Sequence, residues 1–596
     1  MPEDKLERRQ SPGSFLLRLL RQLMEAAISV LPVAGLVIVV ILIGWPQGPE
    51  LEQQLILATR LVSGLFGIIF LINWFLSDEA EHLPSGPRWI LPLLAAMILV
   101  SAVFEGPVSA WLQREVHFSV HLVLLVLILG QQVAAAVLRL VSWLPVIENS
   151  LLQRLNPGTI LFGTFAMLII GGTFLLKLPN ATHGQLGWLD ALFTSASAVC
   201  VTGLIVVDTA TAFTPLGQGI ILLLIQMGAF GIVTLTFFLA VITGQGFSVA
   251  SRVFIRDLMN LENLRHLRLA LAFLFVLTLI LEVSGAGLLY FFWSRSGAVP
   301  DHLLWASVFH SVSAFCNAGF SIFSAGLMDP SAVFNHPVQG ILMILIVLGG
   351  IGFPVMMEVV RMLKRRLAAP RSRQRWSVHT RLVLVTTLIL LAGGTLLLFL
   401  SDYPDAGQGI GSRLWESLFN AITTRTAGFN ISDMAGLSSA ATAVFIFLMF
   451  IGGSPGGFAG GIKTTTYALS MLNLRRILLA RREVEIFDRR IDEVLCNRAF
   501  AVLLFSCLWI FAATTLVLFL EPGLTLLDTL FETVSAFSTV GLSRGITAEL
   551  TNPSKLVIIL TMFVGRIGVM NFLFSLIVVA PRERPLRLPR ERIIIE

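Results

Sequence analysis

The chain contains 596 residues, of which 56% are hydrophobic and only 13% are charged. A chain of this length with so few charges cannot present an ordinary water-facing surface, so the composition excludes a soluble globular protein and predicts lipid as the solvent. The formal net charge of +6 does not indicate a nucleic-acid partner, because Lys and Arg concentrate in the connections between apolar runs. The 4 cysteines are too few for the disulfide framework of a secreted scaffold.

The apolar runs number about twelve, and most approach or exceed the roughly 18 to 20 residues that a helix needs to cross the hydrocarbon core. Four lie in an N-terminal membrane block, residues 1–155, near 27–45, 57–76, 89–104 and 118–142. The first follows a charged segment without a clear cleavage site and is predicted to be a retained span. A voltage sensor needs several arginines on one helix face, and the fourth run has only Arg139. The block is therefore predicted to be a peripheral bundle that supports either the rest of the chain or a dimer.

Eight further runs follow, near 158–178, 216–243, 268–294, 338–363, 382–400, 440–474, 499–520 and 554–580. Three basic connections, near 252–268, 361–375 and 475–490, and the basic tail at 582–592 are predicted to be cytoplasmic. The intervening connections are poor in Lys and Arg and are predicted to face outward. Because an even number of spans precedes this region, both termini are predicted to be cytoplasmic.

The four outward connections share a short helix-like stretch that ends in a small-residue turn. The turns read Cys-Val-Thr-Gly-Leu at 200–204, Cys-Asn-Ala-Gly-Phe at 316–320, Arg-Thr-Ala-Gly-Phe at 425–429 and Ser-Thr-Val-Gly-Leu at 538–542. They recur at a period of roughly 110 residues, which divides the chain into units at 156–250, 251–366, 367–490 and 491–596. The predicted fold is an all-α polytopic membrane protein with four pseudo-symmetric span–pore loop–span repeats around one ion pore, preceded by about four N-terminal spans.

The residues around each turn suit a cation without its water shell. The acids Asp190, Glu416 and Asp528 open three of the helix-like stretches, where the helix dipole is positive, and Ala306 takes this place in the second. At a similar spacing before every turn stands a phenylalanine, at Phe193, Phe309, Phe419 and Phe531. Glycine can take positive φ at little cost, so carbonyl oxygens at the turns can face one axis. Four ordinary turns between spans are the alternative, but their shared register favours an ion site.

A glycine-rich string interrupts the run at 440–474. It reads Gly-Gly-Ser-Pro-Gly-Gly-Phe-Ala-Gly-Gly-Ile-Lys-Thr-Thr-Thr over 452–466, and its six glycines with Pro455 cannot continue a regular helix. Lys463 in the string is costly in lipid, so it is predicted to face a water-filled path or a polar partner. Arg566 in the final run is a second intramembrane charge, for which snorkelling to an interface is the alternative to a place near the pore. A broken helix that merely packs against a neighbour is the alternative for the string.

The turns, the 452–466 string and Gly-Arg-Ile-Gly at 565–568 resemble the Trk/Ktr/HKT superfamily of potassium transporters over about residues 156–580. The resemblance implies potassium uptake across the cell (inner) membrane by a multi-pass chain that forms a homodimer. It also implies a cytosolic nucleotide-binding regulatory subunit of the RCK/TrkA/KtrA kind. No covalently bound cofactor is implied; potassium is the substrate held at the filter, and Na⁺ is an open coupling or regulatory ion.

The residues carried over from the family fall into two sets. The selectivity filter is implied at Val201, Thr202, Gly203, Asn317, Ala318, Gly319, Thr426, Ala427, Gly428, Thr539, Val540 and Gly541. Gating is implied at Gly452, Gly453, Gly456, Gly457, Gly460, Gly461, Lys463 and Arg566, with the string as an intramembrane loop that obstructs the pore on its cytoplasmic side. In the family, a glycine rather than a serine at the position of Gly203 favours potassium.

Two function classes are weighed. A membrane-integral enzyme would need a convergent set of polar groups, and the 9 histidines are scattered, so no enzyme is predicted. Within transport, a gated potassium channel, a sodium-preferring protein and a sodium- or proton-coupled symporter stay open. The chain has no nucleotide-binding glycine pattern, so regulation by a nucleotide requires a second subunit.

Predicted roles can also be given for several single residues outside these two sets. Arg425 is predicted to buttress the third turn from behind, because a positive charge in the path would repel potassium. Glu282 is either a partner for a donor on a helix-like stretch or a protonated core group. An interfacial aromatic belt is predicted to explain Trp188, Trp305 and Trp415. His302 and His310 are predicted to be packing or interface residues.

Overall fold

The computed structural model describes residues 12–76, 95–96, 157–231, 267–368, 376–401 and 409–576. These residues are mostly helical, as predicted. Within them, 6 helices are long and apolar enough to cross a membrane, or up to 7 if one bent pair is a single span. Large apolar side chains on these helices face outward, such as Leu279 and Val283, which are 63% and 62% exposed. An apolar exterior of this kind requires lipid around it.

The N-terminal block begins with two helices, α1 (Pro12–Gly44) and α2 (Pro49–Leu76). They pack on each other around a small core that contains Ile28, Phe66 and Phe70. The end of α1 contacts the rest of the chain, where the Asn180 side chain donates a hydrogen bond of 2.9 Å to the Ile43 carbonyl. The two spans predicted near 89–104 and 118–142 lie outside the described residues, apart from 95–96, and so does Arg139.

From Pro157 onward the same three-helix order recurs four times: a long outer helix, a short helix and an inner helix. The first unit has α3 (Pro157–Leu176), α4 (Trp188–Val199) and α5 (Pro215–Phe230), and the second has α6 (Leu267–Trp293), α7 (Leu303–Phe315), α8 (His336–Ile351) and α9 (Phe353–Ala368). The third has α10 (Val378–Leu400), α11 (Ile410–Thr423), α12 (Ser439–Phe450) and α13 (Thr464–Leu478). The fourth has α14 (Glu493–Leu520), α15 (Leu526–Ser538), α16 (Asn552–Ile567) and α17 (Val569–Leu576). Single helical turns occur at Thr209–Ala212 and Pro330–Val333, and 3₁₀ turns at Pro179–Ala181, Gly326–Met328 and Thr547–Glu549.

The inner helices of the second, third and fourth units are interrupted, and that of the first unit ends at Gly231, the last residue described there. In the first, second and fourth units the inner helix ends at a glycine with positive φ: Gly231 at 72°, Gly352 at 94° and Gly568 at 89°. At Gly352 the chain bends by 101° between α8 and α9. In the third unit the predicted string separates α12 from α13. The sequence predicted only this third break, so the continuous spans predicted near 338–363 and 554–580 are corrected to broken ones.

A two-stranded antiparallel hairpin lies between α13 and α14. Its strands are β1 (Val484–Ile486) and β2 (Arg489–Ile491), with Ile486 opposite Arg489. The two residues of its turn, Phe487 and Asp488, have φ values of 50° and 61°, as a tight hairpin turn requires. This hairpin was not predicted and is an exception to a purely helical fold.

The short helices lie in the centre of the molecule. The phenylalanine that they share is fully buried in all four units, with 0% exposure at Phe193, Phe309, Phe419 and Phe531. A fully buried ring cannot leave its packed surroundings without opening a cavity, so each phenylalanine anchors its short helix in the core.

Polar contacts join each short helix to the inner helix of a neighbouring unit. The fourth residue of an inner helix is a partner in every case. Trp305 donates its ring N–H to Gln218 at 2.8 Å, and Trp415 donates to Gln339 at 2.6 Å. Lys555 pairs with Asp190 at 2.8 Å, and Arg544 bridges Asp528 at 2.7 Å and Thr442 at 2.6 Å.

These contacts change the predicted roles of several residues. Asp190 and Asp528 lie in the first turn of their short helices, as expected, and each also binds a cation from another part of the chain. Glu416 is instead the seventh residue of α11, which begins at Ile410, so the expectation that it opens this helix was wrong. The aromatic belt suits Trp188, which is 60% exposed. Trp305 and Trp415 instead join neighbouring units through their ring nitrogens.

Removing one partner of the Lys555–Asp190 pair is expected to destabilise the protein. The pair is only 12% and 28% exposed, so Lys555→Met leaves a largely desolvated carboxylate and should cost about 1 to 3 kcal/mol. A lower midpoint of thermal unfolding in detergent is the measurement. The matched control is Arg490→Met, which breaks the exposed pair with Glu483 (71% and 40% exposed) and should change little. Equal effects of the two variants would contradict this expectation.

Candidate ion-conduction site

The four glycine turns share one backbone conformation. In each turn the glycine has positive φ, with 89° at Gly203, 70° at Gly319, 75° at Gly428 and 93° at Gly541. Two residues earlier a side-chain-bearing residue is also left-handed, with 58° at Val201, 58° at Asn317, 72° at Thr426 and 51° at Thr539. Left-handed φ at such residues is costly and persists only where the surroundings impose it. The four turns therefore repeat one strained geometry.

The turns also meet in a closed ring, which we call the glycine ring. A Cβ built on each glycine would lie 2.4 Å from Ala318 O at Gly203, 2.9 Å from Ala427 O at Gly319, 2.2 Å from Val540 O at Gly428 and 2.1 Å from Thr202 O at Gly541. Each glycine thus faces the carbonyl that precedes the next glycine, and the fourth turn closes on the first. All distances are too short for a real side chain, so only glycine fits. The ring brings together every residue of the set predicted as the selectivity filter.

A hydroxyl on each short helix holds its turn. Ser197 and Ser535 accept a bond of 3.1 Å from the backbone N–H of Gly203 and Gly541, respectively. Ser313 donates to Phe320 O at 2.7 Å, and Thr423 donates to Phe429 O at 2.6 Å. Sequence reasoning missed these residues. Their signal was a Ser or Thr at nearly the same distance before every turn glycine, visible once the four units are aligned.

The glycine-rich string forms a loop, residues 451–463, against the glycine ring. Its two ends are joined, since Gly452 N–H donates to Ile462 O at 2.9 Å and Thr464 N–H donates to Gly453 O at 3.0 Å. A Cβ at Gly460 would lie 2.1 Å from the Thr539 hydroxyl oxygen, so the loop touches the fourth turn directly. The loop is therefore a folded element beside the ring.

The opposite side of the loop binds the broken inner helix of the second unit. Ser454 N–H and Phe458 N–H donate to Gly350 O and Gly349 O at 2.9 and 3.2 Å. In return Phe353 N–H donates to Gly456 O at 3.1 Å. The bend after Ile351 frees these backbone groups from helix bonding, which is why the loop can pair with them.

Phe458 at the tip of the loop fills an aromatic pocket. Its ring is 3% exposed and stands edge-on to Phe230, Phe315 and Phe353, with centroids 5.6, 5.5 and 5.0 Å away. These rings come from the first and second units, so Phe458 joins the third unit to both. Nothing in the sequence marked this phenylalanine apart from its place among glycines.

The two predicted intramembrane charges both bind the loop region. Arg566 donates to Phe458 O with one terminal nitrogen and to Gly228 O at 2.9 Å with the other. It therefore links the loop tip to the end of the first inner helix. Lys463 donates to Ala459 O within the loop. Each charge thus has a polar partner.

Arg425 and Glu282 lie behind the turns. Arg425 is 8% exposed and donates to Gly452 O at 3.3 Å, a position that suits the expected buttress between the third turn and the loop. Glu282, on the second outer helix, accepts from the Gln226 amide at 3.1 Å and from the Cys316 thiol at 3.7 Å. Its partners are an inner helix and the first residue of the second turn.

Comparisons with known proteins agree with this architecture. A family model described as a TrkH cation transport protein matches residues 132–586. Ktr system potassium uptake protein B of Bacillus subtilis is 37% identical over 71% of this chain and 93% of that protein. Potassium/sodium uptake protein NtpJ of Enterococcus hirae is 31% identical over 76% and 99%. The crystal structure of the potassium transporter TrkH from Vibrio parahaemolyticus has the same fold, with a TM-score of 0.58 at 16% identity over 88% of this chain and 98% of that one.

These relatives confirm the resemblance that the turns and the glycine-rich string indicated. They are ion transporters, which also confirms that the chain is not an enzyme. The family model spans most of the chain, including all four turns, the loop and Arg566. The chain belongs to the TrkH family of cation transport proteins.

Proposed function

We propose that the chain takes up potassium across the cell membrane through a pore whose selectivity filter is the glycine ring. In this proposal the four units are pseudo-symmetric repeats, the short helices are pore helices and the glycine turns are pore loops. The observation that carries it is the closed contact of four turns that share one unusual backbone pattern. Ordinary connections between spans have no reason to meet at one point with two left-handed residues each.

The chemistry of the ring suits a monovalent cation. Each short helix ends where its turn begins, so the negative ends of four helix dipoles face the ring. The carbonyls before the four glycines lie between adjacent turns, and backbone oxygens of this kind replace the hydration shell of K⁺. The two arginines nearest to the ring glycines in sequence bond to other groups, Arg425 to Gly452 O and Arg544 to Asp528.

The loop at 451–463 is proposed to obstruct the pore on its cytoplasmic side. Support comes from its contact with Thr539 on one side and with the second inner helix on the other. Arg566 and Lys463 hold the loop in this place through backbone carbonyls. Opening then requires Phe458 to leave its aromatic pocket.

The names of the relatives bear on which ion is transported and on whether a second ion is coupled to it. Two B. subtilis relatives are named for potassium uptake, and Gly203 is the residue that the family associates with potassium. A second candidate is sodium transport or sodium coupling, favoured by the name of NtpJ, a potassium/sodium uptake protein. K⁺ is thus the proposed substrate, and Na⁺ the competing one.

The assembly is proposed by analogy with the same relatives. Their names describe them as parts of a Ktr system, which supports a further subunit. That subunit is proposed to be a cytosolic nucleotide-binding regulatory protein, and the chain itself to form a homodimer. Placing both termini in the cytoplasm puts the hairpin and the arginines in and after the last turn of α13 (Arg475, Arg476, Arg481 and Arg482) on the same side, as the positive-inside rule requires.

Uptake of rubidium or potassium into vesicles that contain the purified protein tests the proposal. We expect selective uptake of Rb⁺ that excess K⁺ inhibits more strongly than excess Na⁺. Varying Na⁺ and pH separately distinguishes the candidates, because a coupled symporter needs the second ion and a channel does not. Absence of any monovalent-cation flux would overturn the proposed function.

A further inference from the structure

A buried polar residue follows the shared phenylalanine in all four short helices. The residues are Thr194, His310, Asn420 and Glu532, and each is at most 1% exposed. A buried polar side chain is costly unless it is hydrogen-bonded. The recurrence at one register in four different chemical forms indicates a common task for this position.

In the second unit, His310 joins the short helix to the chain after the glycine. Its Nδ1 lies 2.8 Å from Ala306 O and its Nε2 lies 2.9 Å from Ser321 Oγ. A carbonyl can only accept, so Nδ1 carries the hydrogen and Nε2 accepts the hydroxyl of Ser321. The ring also stacks on Phe323, with centroids 4.6 Å apart. Ser321 stands two residues beyond Gly319, so the bond fixes the segment that leaves the ring.

The third and fourth units make the same connection with other groups. Asn420 donates its amide N–H to Ser432 Oγ at 3.3 Å, four residues beyond Gly428. Glu532 accepts from the Thr547 hydroxyl, which also bonds Ser543 Oγ at 2.9 Å. Ser543 stands two residues beyond Gly541. In three units, therefore, the short helix holds the chain on the far side of the ring.

The first unit lacks this connection. The Thr194 hydroxyl has no hydrogen-bond partner among the described residues. The positions after Gly203 that match Ser321, Ser432 and Ser543 are Ile205 and Val207, whose side chains form no hydrogen bonds. Thr209, which matches Thr547, makes no bond to Thr194. The first turn is thus held by Ser197 before the glycine and by no equivalent bond after it.

We propose that His310, Asn420 and Glu532 are positioning residues that set ion discrimination by fixing three corners of the glycine ring from behind, and that the first corner is left compliant. The inference rests on the proposed function. The side chains act through backbone geometry, since their bonds are to the segments after Gly319, Gly428 and Gly541. Ion coordination by a ring of carbonyls depends on how rigidly those carbonyls are held. Loss of one bond should therefore change discrimination before it changes folding.

Removing a hydroxyl from the segments that follow Gly319 and Gly541 tests the proposal without changing the buried short helices. Thr547→Val and Ser321→Ala delete the donor to Glu532 and His310, respectively, and Thr547→Ser retains it. Discrimination is measured in vesicles as the Na⁺ concentration that halves Rb⁺ uptake divided by the K⁺ concentration that does so. In Thr547→Val and Ser321→Ala this ratio should decrease by a factor of about two to about ten, as expected for one lost hydrogen bond. The maximal rate of uptake should change less than this ratio, and Thr547→Ser should keep the wild-type ratio.

Two buried threonines serve as matched controls. Thr194→Val removes the hydroxyl without a partner, and Thr529→Val removes one that bonds only the Thr525 carbonyl in its own helical turn, at 2.9 Å. Both should keep the wild-type ratio, and all variants are compared at equal yield of monodisperse protein. The inference would be overturned if the ratio were unchanged in Thr547→Val and Ser321→Ala, or if it shifted equally in Thr194→Val. Either result would leave the proposed function standing. Failure of the wild-type protein to take up Rb⁺ would overturn the proposed function and this inference with it.

Discussion

Replacing Gly203 by Ser is expected to weaken discrimination against Na⁺ several-fold, because a side chain in this left-handed conformation costs about 1 to 2 kcal/mol and the turn must shift to relieve that strain. A Cβ at this position would also lie 2.4 Å from the carbonyl oxygen of Ala318. That oxygen belongs to the next turn, so the first and second corners of the ring must separate. Competition of Na⁺ with Rb⁺ uptake in vesicles is the measurement.

The matched control is Gly171→Ser, since a Cβ at Gly171 in α3 would meet no atom within 4 Å. The control should keep both uptake and selectivity. Retained selectivity in Gly203→Ser, in a protein of normal yield, would show that the ring is not the filter. The yield of monodisperse protein shows whether Gly203→Ser folds, so a failure to fold is not mistaken for a change in selectivity.

The crowding around the four glycines also predicts an order of tolerance. A Cβ would approach the facing carbonyl oxygen to 2.9 Å at Gly319 but to 2.1 Å at Gly541. The yield of monodisperse protein should therefore fall least for Gly319→Ala and most for Gly541→Ala. A ring of four equal sites would show no such order, so the measured ranking reports how asymmetric the ring is.

Much of the candidate site could be predicted from sequence because its signals are local. Positive φ at the four turn glycines was expected from glycine itself and is confirmed. The interruption by the 452–466 string was predicted for the same reason, since its glycines and Pro455 cannot continue a helix. Lys463 was expected to face a water-filled path or a polar partner, and it bonds to a loop carbonyl, as does Arg566.

The parts that sequence reasoning missed depend on residues far apart in the chain. Trp305 donates to Gln218, and Arg566 meets both Phe458 and Gly228. No local pattern reports such pairs, and a tryptophan near a helix end is equally typical of a membrane interface. The breaks at Gly352 and Gly568 were missed because a single glycine in an apolar run is a weak signal for a helix end. Only the neighbouring loop makes the bend at Gly352 favourable.

Deleting Gly456 to Gly460 is expected to raise potassium flux several-fold if the loop obstructs the pore, as proposed. The deletion removes Phe458 from its pocket of Phe230, Phe315 and Phe353. It also removes the carbonyl that Arg566 binds and two of the three bonds to the second inner helix, those made by Gly456 and Phe458. The bond from Ser454 N–H to Gly350 O remains. The bonds from Gly452 N–H to Ile462 O and from Thr464 N–H to Gly453 O both lie outside the deleted residues, so the two halves of the inner helix keep both of these connections.

Phe458→Ala separates obstruction from simple loss of packing. It removes the aromatic contacts but leaves the backbone bonds of the loop, so it should raise flux less than the deletion does. The matched control is Phe447→Ala on α12, where the ring is 47% exposed and lies outside the loop. Unchanged or lower flux in a well-folded deletion would count against a gating loop. If both phenylalanine variants raised flux equally, the cause would be weaker packing of the third inner helix, to which Phe447 belongs. It would then not be the release of the loop, since Phe447 lies outside the loop.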